Sequence, residues 1–439
     1  MSTPRFLFLL RLAAAALAVT TCSVGTALPA FCASAYADAD NLRDTRTRIL
    51  DRRFRTLQVK VGGNDMLPPV VELNSGQTLT IEFDEIGEDR SYLRYELIHC
   101  NSDWKPSGLI ASEFLDGFNE ATVDDYAFSR ATLTHYIHYT ITIPNPGMRL
   151  TVSGNYLVRI YDEEDPETTL LQVRIYVNEA TMRLEANASS LTDIDRNMSH
   201  QQVDVTVDVD RVPVRDMWSD LRLVVEQNGR PDMARTPSAP LKVFGSKAYF
   251  EHRPELIFPA GNEYRRMEVI STRYTPMGVA EIGRVGNTFA FYLNPDFPRS
   301  NSGYTYDSTQ HGRFRVREYD TELPDTEADY VAVYFSLESP ELPGGDIFID
   351  GDLTNRLFDP ESRMVYNRAT GAYEAIMHLK QGAYNYQYLF VPTGSTAGST
   401  AEIEGDYAPT DNEYTVRLYY RAPGERYDRL AAATVVTLD

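Results

Sequence analysis

Val203-Asp204-Val205-Thr206-Val207-Asp208-Val209 places a valine at every second position, with short polar residues between. Alternate side chains of an extended chain leave opposite faces, so this stretch reads as a strand with one buried and one wet side. The same period recurs in both directions. Towards the N-terminus it appears in Leu57/Val59/Val61, Leu79/Ile81/Phe83, Ile137/Tyr139/Ile141/Ile143 and 155–161. Towards the C-terminus it appears in 221–226, 288–293, Val331/Val333/Phe335/Leu337, Tyr373/Ala375/Met377/Leu379, Tyr384/Tyr386/Tyr388/Phe390 and Tyr414/Val416/Leu418/Tyr420. Turn formers such as Gly62-Gly63-Asn64, Asn74-Ser75-Gly76 and the hairpin-favouring Asn228-Gly229 punctuate these runs. Helical spacing is scarce. The fold class predicted is all-β, a series of immunoglobulin-like sandwiches.

The turns and an acidic connector at Asp325-Thr326-Glu327-Ala328-Asp329 divide the chain into a leader at 1–37 and β domains at 38–178, 179–324 and 325–439. The leader carries Arg5 and Arg11 around the apolar stretches 6–10 and 12–19, and Ala35-Tyr36-Ala37 offers the small residues a signal peptidase requires. Cleavage after Ala37 removes Cys22 and Cys32, leaving Cys100 as the sole thiol, so no internal disulfide is expected. Cys100 ends an apolar strand pattern and reads as a buried small residue.

The chain has 63 acidic against 42 basic residues, a net charge of −21 that becomes −23 without the leader. Such a field does not attract phosphate backbones or anionic lipid, so nucleic acid is not an expected partner. No apolar run after the leader is long enough for a spanning helix.

The common local signatures of catalysis, phosphate binding and zinc binding are absent, so no catalytic, metal-ligating or cofactor-binding residue and no cofactor is expected. His135 and His138, at i and i+3 in a strand, should face opposite sides and share no metal. Asp350, Asp352, Thr354 and Glu361 have the spacing of a calcium loop, but Asn355 replaces the glycine of its sharp turn. The acidic run 162–167 reads as a solvated hairpin tip. Trp104, Phe114 and Phe118 lie where strand alternation is weak and turn formers are dense, which makes them candidate partner contacts.

Two resemblances add to this reading. Asp350-Gly351-Asp352-Leu353-Thr354-Asn355, with Tyr373-Glu374-Ala375 and Lys380-Gln381-Gly382-Ala383-Tyr384-Asn385-Tyr386-Gln387-Tyr388, resembles the glycogen-binding-type sandwich. It implies, as an alternative function, a carbohydrate-binding periplasmic or surface module with polysaccharide as partner and Tyr384, Tyr386 and Tyr388 as a stacking platform. Arg356 stands where a sugar-binding member could carry tryptophan.

The second runs the length of the chain, in Pro68-Pro69-Val70-Val71-Glu72-Leu73-Asn74-Ser75-Gly76, Tyr95-Glu96-Leu97-Ile98-His99-Cys100-Asn101-Ser102-Asp103-Trp104, Glu113-Phe114-Leu115-Asp116-Gly117-Phe118-Asn119-Glu120, Phe258-Pro259-Ala260-Gly261-Asn262-Glu263-Tyr264 and Pro423-Gly424-Glu425-Arg426-Tyr427-Asp428-Arg429-Leu430. In these collinear blocks the chain resembles the plug family of the type IX secretion system. The resemblance implies a non-enzymatic periplasmic subunit that docks on a large outer-membrane β-barrel translocon and closes its inner opening when no cargo is in transit.

Overall fold

The computed structural model describes residues 44–438. The expected leader, with Cys22 and Cys32, lies outside them. The described chain is built almost entirely of strands, arranged as three two-sheet sandwiches.

The first sandwich is assembled from consecutive chain. One sheet runs Arg48–Ile49, Asp165–Asn178, Gly154–Asp162, Leu93–Cys100, Ala121–Thr122, with Val70–Glu72 added in parallel to the long strand Asp165–Asn178. Its partner sheet runs Phe54–Val61, Leu79–Ile86, Tyr136–Ile143, Asp125–Phe128. The inward positions of both sheets, among them Leu79, Ile81, Phe83, Ile141, Val158 and Val173, form one buried cluster. The acidic run 162–167 is the turn between Gly154–Asp162 and Asp165–Asn178 and is mostly exposed.

The second and third sandwiches are interleaved. Arg183–Ser189, His200–Asp208, Lys247–Phe250 and Lys242–Phe244 make one sheet of the second, with Ile257–Pro259 on the far end of His200–Asp208. Val203, Val205, Val207 and Val209 are buried and Asp204, Thr206 and Asp208 half-buried, as their period requires. The opposing sheet is Leu221–Gln227, Glu413–Tyr420, Arg429–Thr437. Between these two lots of strands the chain builds the third sandwich. One of its sheets centres on Gly382–Pro392, flanked by Arg265–Glu268, Phe314–Val316 and Gly345–Asp350. The other runs Val279–Val285, Thr288–Leu293, Tyr330–Glu338, Ala372–Lys380, Val365–Asn367.

The boundary expected near residue 325 therefore does not separate two packing units. The 265–316 strands lie in the third core with Phe335 and Tyr388, and Tyr414, Val416 and Leu418 lie in the second core with Val203 and Leu223. The physical reason is pairing. Leu221–Gln227 keeps its ladder with Glu413–Tyr420 over all seven residues, from Leu221 opposite Tyr420 to Gln227 opposite Tyr414. Asn228 and Gly229 do form a left-handed turn, at φ of 52° and 66°. The chain beyond it enters the 3-10 turn Pro231–Met233, so only a single bridge, Val225 to Arg235, returns to the strand.

Candidate functional site: junctions, clefts and exposed contacts

Three junctions join the sandwiches, and each is closed by buried polar contacts. Between the first and third, the Lys380 ammonium donates to Asp84 Oδ2 at 2.6 Å and to the Asp325 carbonyl at 2.7 Å. The Tyr330 hydroxyl donates to the same Asp84 oxygen at 2.6 Å, and His138 Nδ1 lies 2.7 Å from the other. Lys380 also sits 4.2 Å from the centre of the Tyr136 ring. Burial alone would raise the Asp84 carboxyl, but the Lys380 ammonium and then His138 outweigh it and hold it below the usual range. The amides of Leu133 and Thr134 cap Asp329 at 2.7 and 3.0 Å.

Between the first and second sandwiches, Tyr419 donates to Asn155 Oδ1 at 2.7 Å, and Asp428 accepts from the Ser102 amide and hydroxyl at 2.9 and 2.7 Å. Tyr176, Val224, Tyr419 and Leu430 are buried together there. Between the second and third, Arg313 pairs with Glu413 at 2.6 Å. On the stretch that leads from the third sandwich back to the second, Glu404 is clasped by Arg265 at 3.0 Å and Arg299 at 2.6 Å.

Trp104, Phe114 and Phe118 are not brought together as a contact surface. Trp104 is half-buried at the first–second junction, edge-on to Tyr176 at 5.3 Å with the Arg174 guanidinium 4.1 Å from its ring centre. Phe114 is 3% exposed, carried inward by the short helical turn Ala111–Phe114 against Tyr156 and His99. Phe114 is thereby buried and unavailable to a partner, a correction to the expectation, while Trp104 packs one side of its ring within the molecule. Phe118 is 81% exposed, just beyond the strand Leu115–Gly117.

Sequence reasoning missed two features. His99 is a packing hub: its Nε2–H donates to the Ser153 carbonyl at 3.1 Å, and its ring meets Tyr156 and Tyr427 edge-on. Gly154, at φ +139°, makes room for it, since a Cβ there would stand 2.6 Å from Nε2. The other is the loop 190–198, which exposes Leu191, Ile194 and Met198. Burial would raise the Asp195 carboxyl in this loop, but hydrogen bonds from His200, Ser199 and Thr192 outweigh it and hold it at about 2. Dense Ser, Thr, Asp and Asn around isolated apolar residues was the available signal.

The remaining candidates are accounted for by their neighbours. Tyr384, Tyr386 and Tyr388 are buried in the third core, so they form no stacking platform for sugar. In the calcium-like loop Asn355 does take the left-handed conformation, at φ 50°. Arg356 instead occupies the acids, pairing with Asp350 at 3.2 Å and Asp352 at 2.8 Å. Cys100 is buried, and that burial pushes its thiol up to about 12. A cleft of about 560 Å³ lies between the first and second sandwiches, lined by charges that largely pair among themselves, including Lys105 with Asp103 and Arg421 with Asp428. No helix among the described residues is long and apolar enough to cross a membrane.

The fold and its junctions define a class first: a multi-sandwich β protein whose units are welded through buried polar contacts. Residues 54–179 match the family model described as "Type 9 secretion system plug protein 1st domain". The chain is 40% identical to a protein of known crystal structure at 2.30 Å, a hypothetical protein from Parabacteroides merdae ATCC 43184, with a TM-score of 0.88 over 90% of this chain and 99% of that one. The chain belongs to the type IX secretion system plug protein family. Its place is with the outer-membrane secretion machinery of that system. The Pseudomonas fluorescens alkylpurine DNA glycosylase AlkC bound to abasic-site DNA overlaps at a TM-score of 0.18 and 11% identity, over 28% of this chain and 30% of that one, and carries no argument. No curated protein matches the chain significantly.

Proposed function

We propose that the protein is a non-enzymatic periplasmic subunit that seats on the inner opening of the type IX translocon, a large outer-membrane β-barrel, and occludes it while no cargo passes. One observation beyond family membership carries the reading: all three sandwiches are tied pairwise by buried polar contacts, at Asp84–Lys380, Asn155–Tyr419 and Arg313–Glu413. A body that closes a wide pore must not splay under load, and breaking a buried pair costs about 3–5 kcal/mol. The net charge of −21 favours basic groups on the barrel rim over anionic lipid. Phe118 is the contact residue retained from the sequence reading.

The test is affinity purification of the tagged chain from its own host's membranes in mild detergent, with mass spectrometry of what accompanies it. Co-purification of one very large outer-membrane barrel, whose conductance in a planar bilayer falls when the chain is added back, is the expected result. Recovery without any barrel overturns the reading.

A further inference from the structure

Among the described residues one set of three His, Cys or carboxylate side chains converges: Glu82, His138 and Asp325 each bring a ligating atom within 4.8 Å of the other two. They come from three separate stretches. Glu82 and His138 lie on neighbouring strands of the first sandwich, Leu79–Ile86 and Tyr136–Ile143, and Asp325 lies in the short helical turn Pro324–Glu327 that enters the third. Their separation in sequence is why no motif spacing announced them.

Two further observations set this group apart from a chance cluster of acids. The first is that its imidazole is held by a carboxylate outside the set. His138 is 12% exposed, and Asp84, itself fixed by Lys380 and Tyr330, holds its Nδ1 at 2.7 Å. Carboxylate support of one ring nitrogen fixes the ring and leaves Nε2 as the donor, the arrangement that backs histidine ligands in metal sites. The second is charge. Glu82, Asp84 and Asp325 bring three carboxylates to the junction, and two ammonium groups answer them, Lys60 on Glu82 and Lys380 on Asp84. Asp329 and Glu327 add negative potential around the same Tyr136 ring. The Asp325 carboxylate is the one without an ammonium of its own in this set.

We propose that Glu82, His138 and Asp325 bind a divalent transition-metal ion of the zinc class, stapling the first sandwich to the third. One imidazole and two carboxylates suit such an ion, with water as fourth ligand, whereas calcium and magnesium take oxygen ligands. Arms of about 2.0–2.1 Å in a tetrahedral site put donors about 3.4 Å apart. The three donor atoms, within 4.8 Å of one another, must therefore draw together on binding. The ion takes the Glu82 oxygen away from Lys60 or shares the carboxylate with it.

The test is calorimetric titration of the full chain, stripped with chelator, with Zn²⁺ in the presence of excess Mg²⁺. One Zn²⁺ per chain is expected, with a raised melting temperature. His138→Ala and Asp325→Asn should each weaken binding by about tenfold or more, while the exposed His135→Ala leaves it unchanged. Circular dichroism of Asp325→Asn, whose carboxylate is not part of an ion pair at the junction, keeps loss of binding distinct from loss of fold. No uptake by the stripped wild-type chain overturns the proposal. Uptake undiminished in both variants overturns it too, as adventitious binding by surface acids.

Discussion

The first sandwich and the other two solve the same packing problem in different ways. Its strands follow one another from Arg48 to Asn178 and close a core that uses no later residue. The second sandwich begins with Arg183–Ser189 and is not closed until Arg429–Thr437, because the third is inserted within it. A contiguous core can survive alone; an interrupted one cannot. A family model covering 54–179 coincides with the contiguous unit.

The largest effect should come from breaking that difference directly. A chain ending after Asn412 loses the strand that pairs with Leu221–Gln227 and the strand beyond it, two of the three in that sheet. Its second core should not form, and limited proteolysis should leave a resistant fragment ending near residue 179. Digestion that spares residues 180–412 equally would mean the interleaved halves do not depend on each other.

Next is the weld between the two kinds of unit. Lys380→Met leaves Asp84 buried without its ammonium and should cost about 3–5 kcal/mol in urea unfolding. Phe114→Ala, confined to the contiguous core, should cost a similar ~3–5 kcal/mol. The contrast is that the Lys380 change should also loosen the third sandwich to proteases, and the Phe114 change should not.

The stretch that leads from the third sandwich back to the second gives a pH signature. Burial would raise the Glu404 carboxyl, but Arg265 and Arg299 overcome that and lower it. A depressed carboxyl contributes stability that is fully present above the unfolded-state value of about 4.3 and is lost as pH falls through the lower folded value. Unfolding free energy should therefore fall with acidification below about pH 4.3, and less steeply in Glu404→Gln. Equal slopes would remove Glu404 from the account.

The smallest change in stability belongs to Phe118→Ala, within about 0.5 kcal/mol because the ring is exposed. If Phe118 touches the translocon, recovery of the barrel on the tagged chain should drop all the same. Undiminished recovery would move the docking face elsewhere.

How much was legible follows from the range of the interactions. The valines of 203–209 announced their strand because the period is local, and the three sandwiches followed from many such runs. The partner of Leu221–Gln227 was invisible, because Asn228-Gly229 fixes a turn and not the identity of the strand beyond it. Weak alternation around Trp104 and Phe114 makes them candidate contacts, yet a single turn of helix buries Phe114 and a neighbouring sandwich covers part of Trp104. The tyrosine stripe at 384–388 has period two and fits a core or a platform equally; burial decides it. Glu82, His138 and Asp325 meet only because two sandwiches meet.

The insertion has a consequence for how the protein is made. Synthesis delivers the N-terminal unit first, and a domain can fold as it emerges. The second sandwich must instead hold its first sheet open, valine face uncovered, while the whole third sandwich is made and until Glu413–Tyr420 and Arg429–Thr437 arrive. A message cut short would yield a molecule with a permanently uncovered apolar face, a substrate for chaperones and proteases. Glu413–Tyr420 and Arg429–Thr437 thus act as an inspection stamp, since only a chain read through them can close the second sandwich.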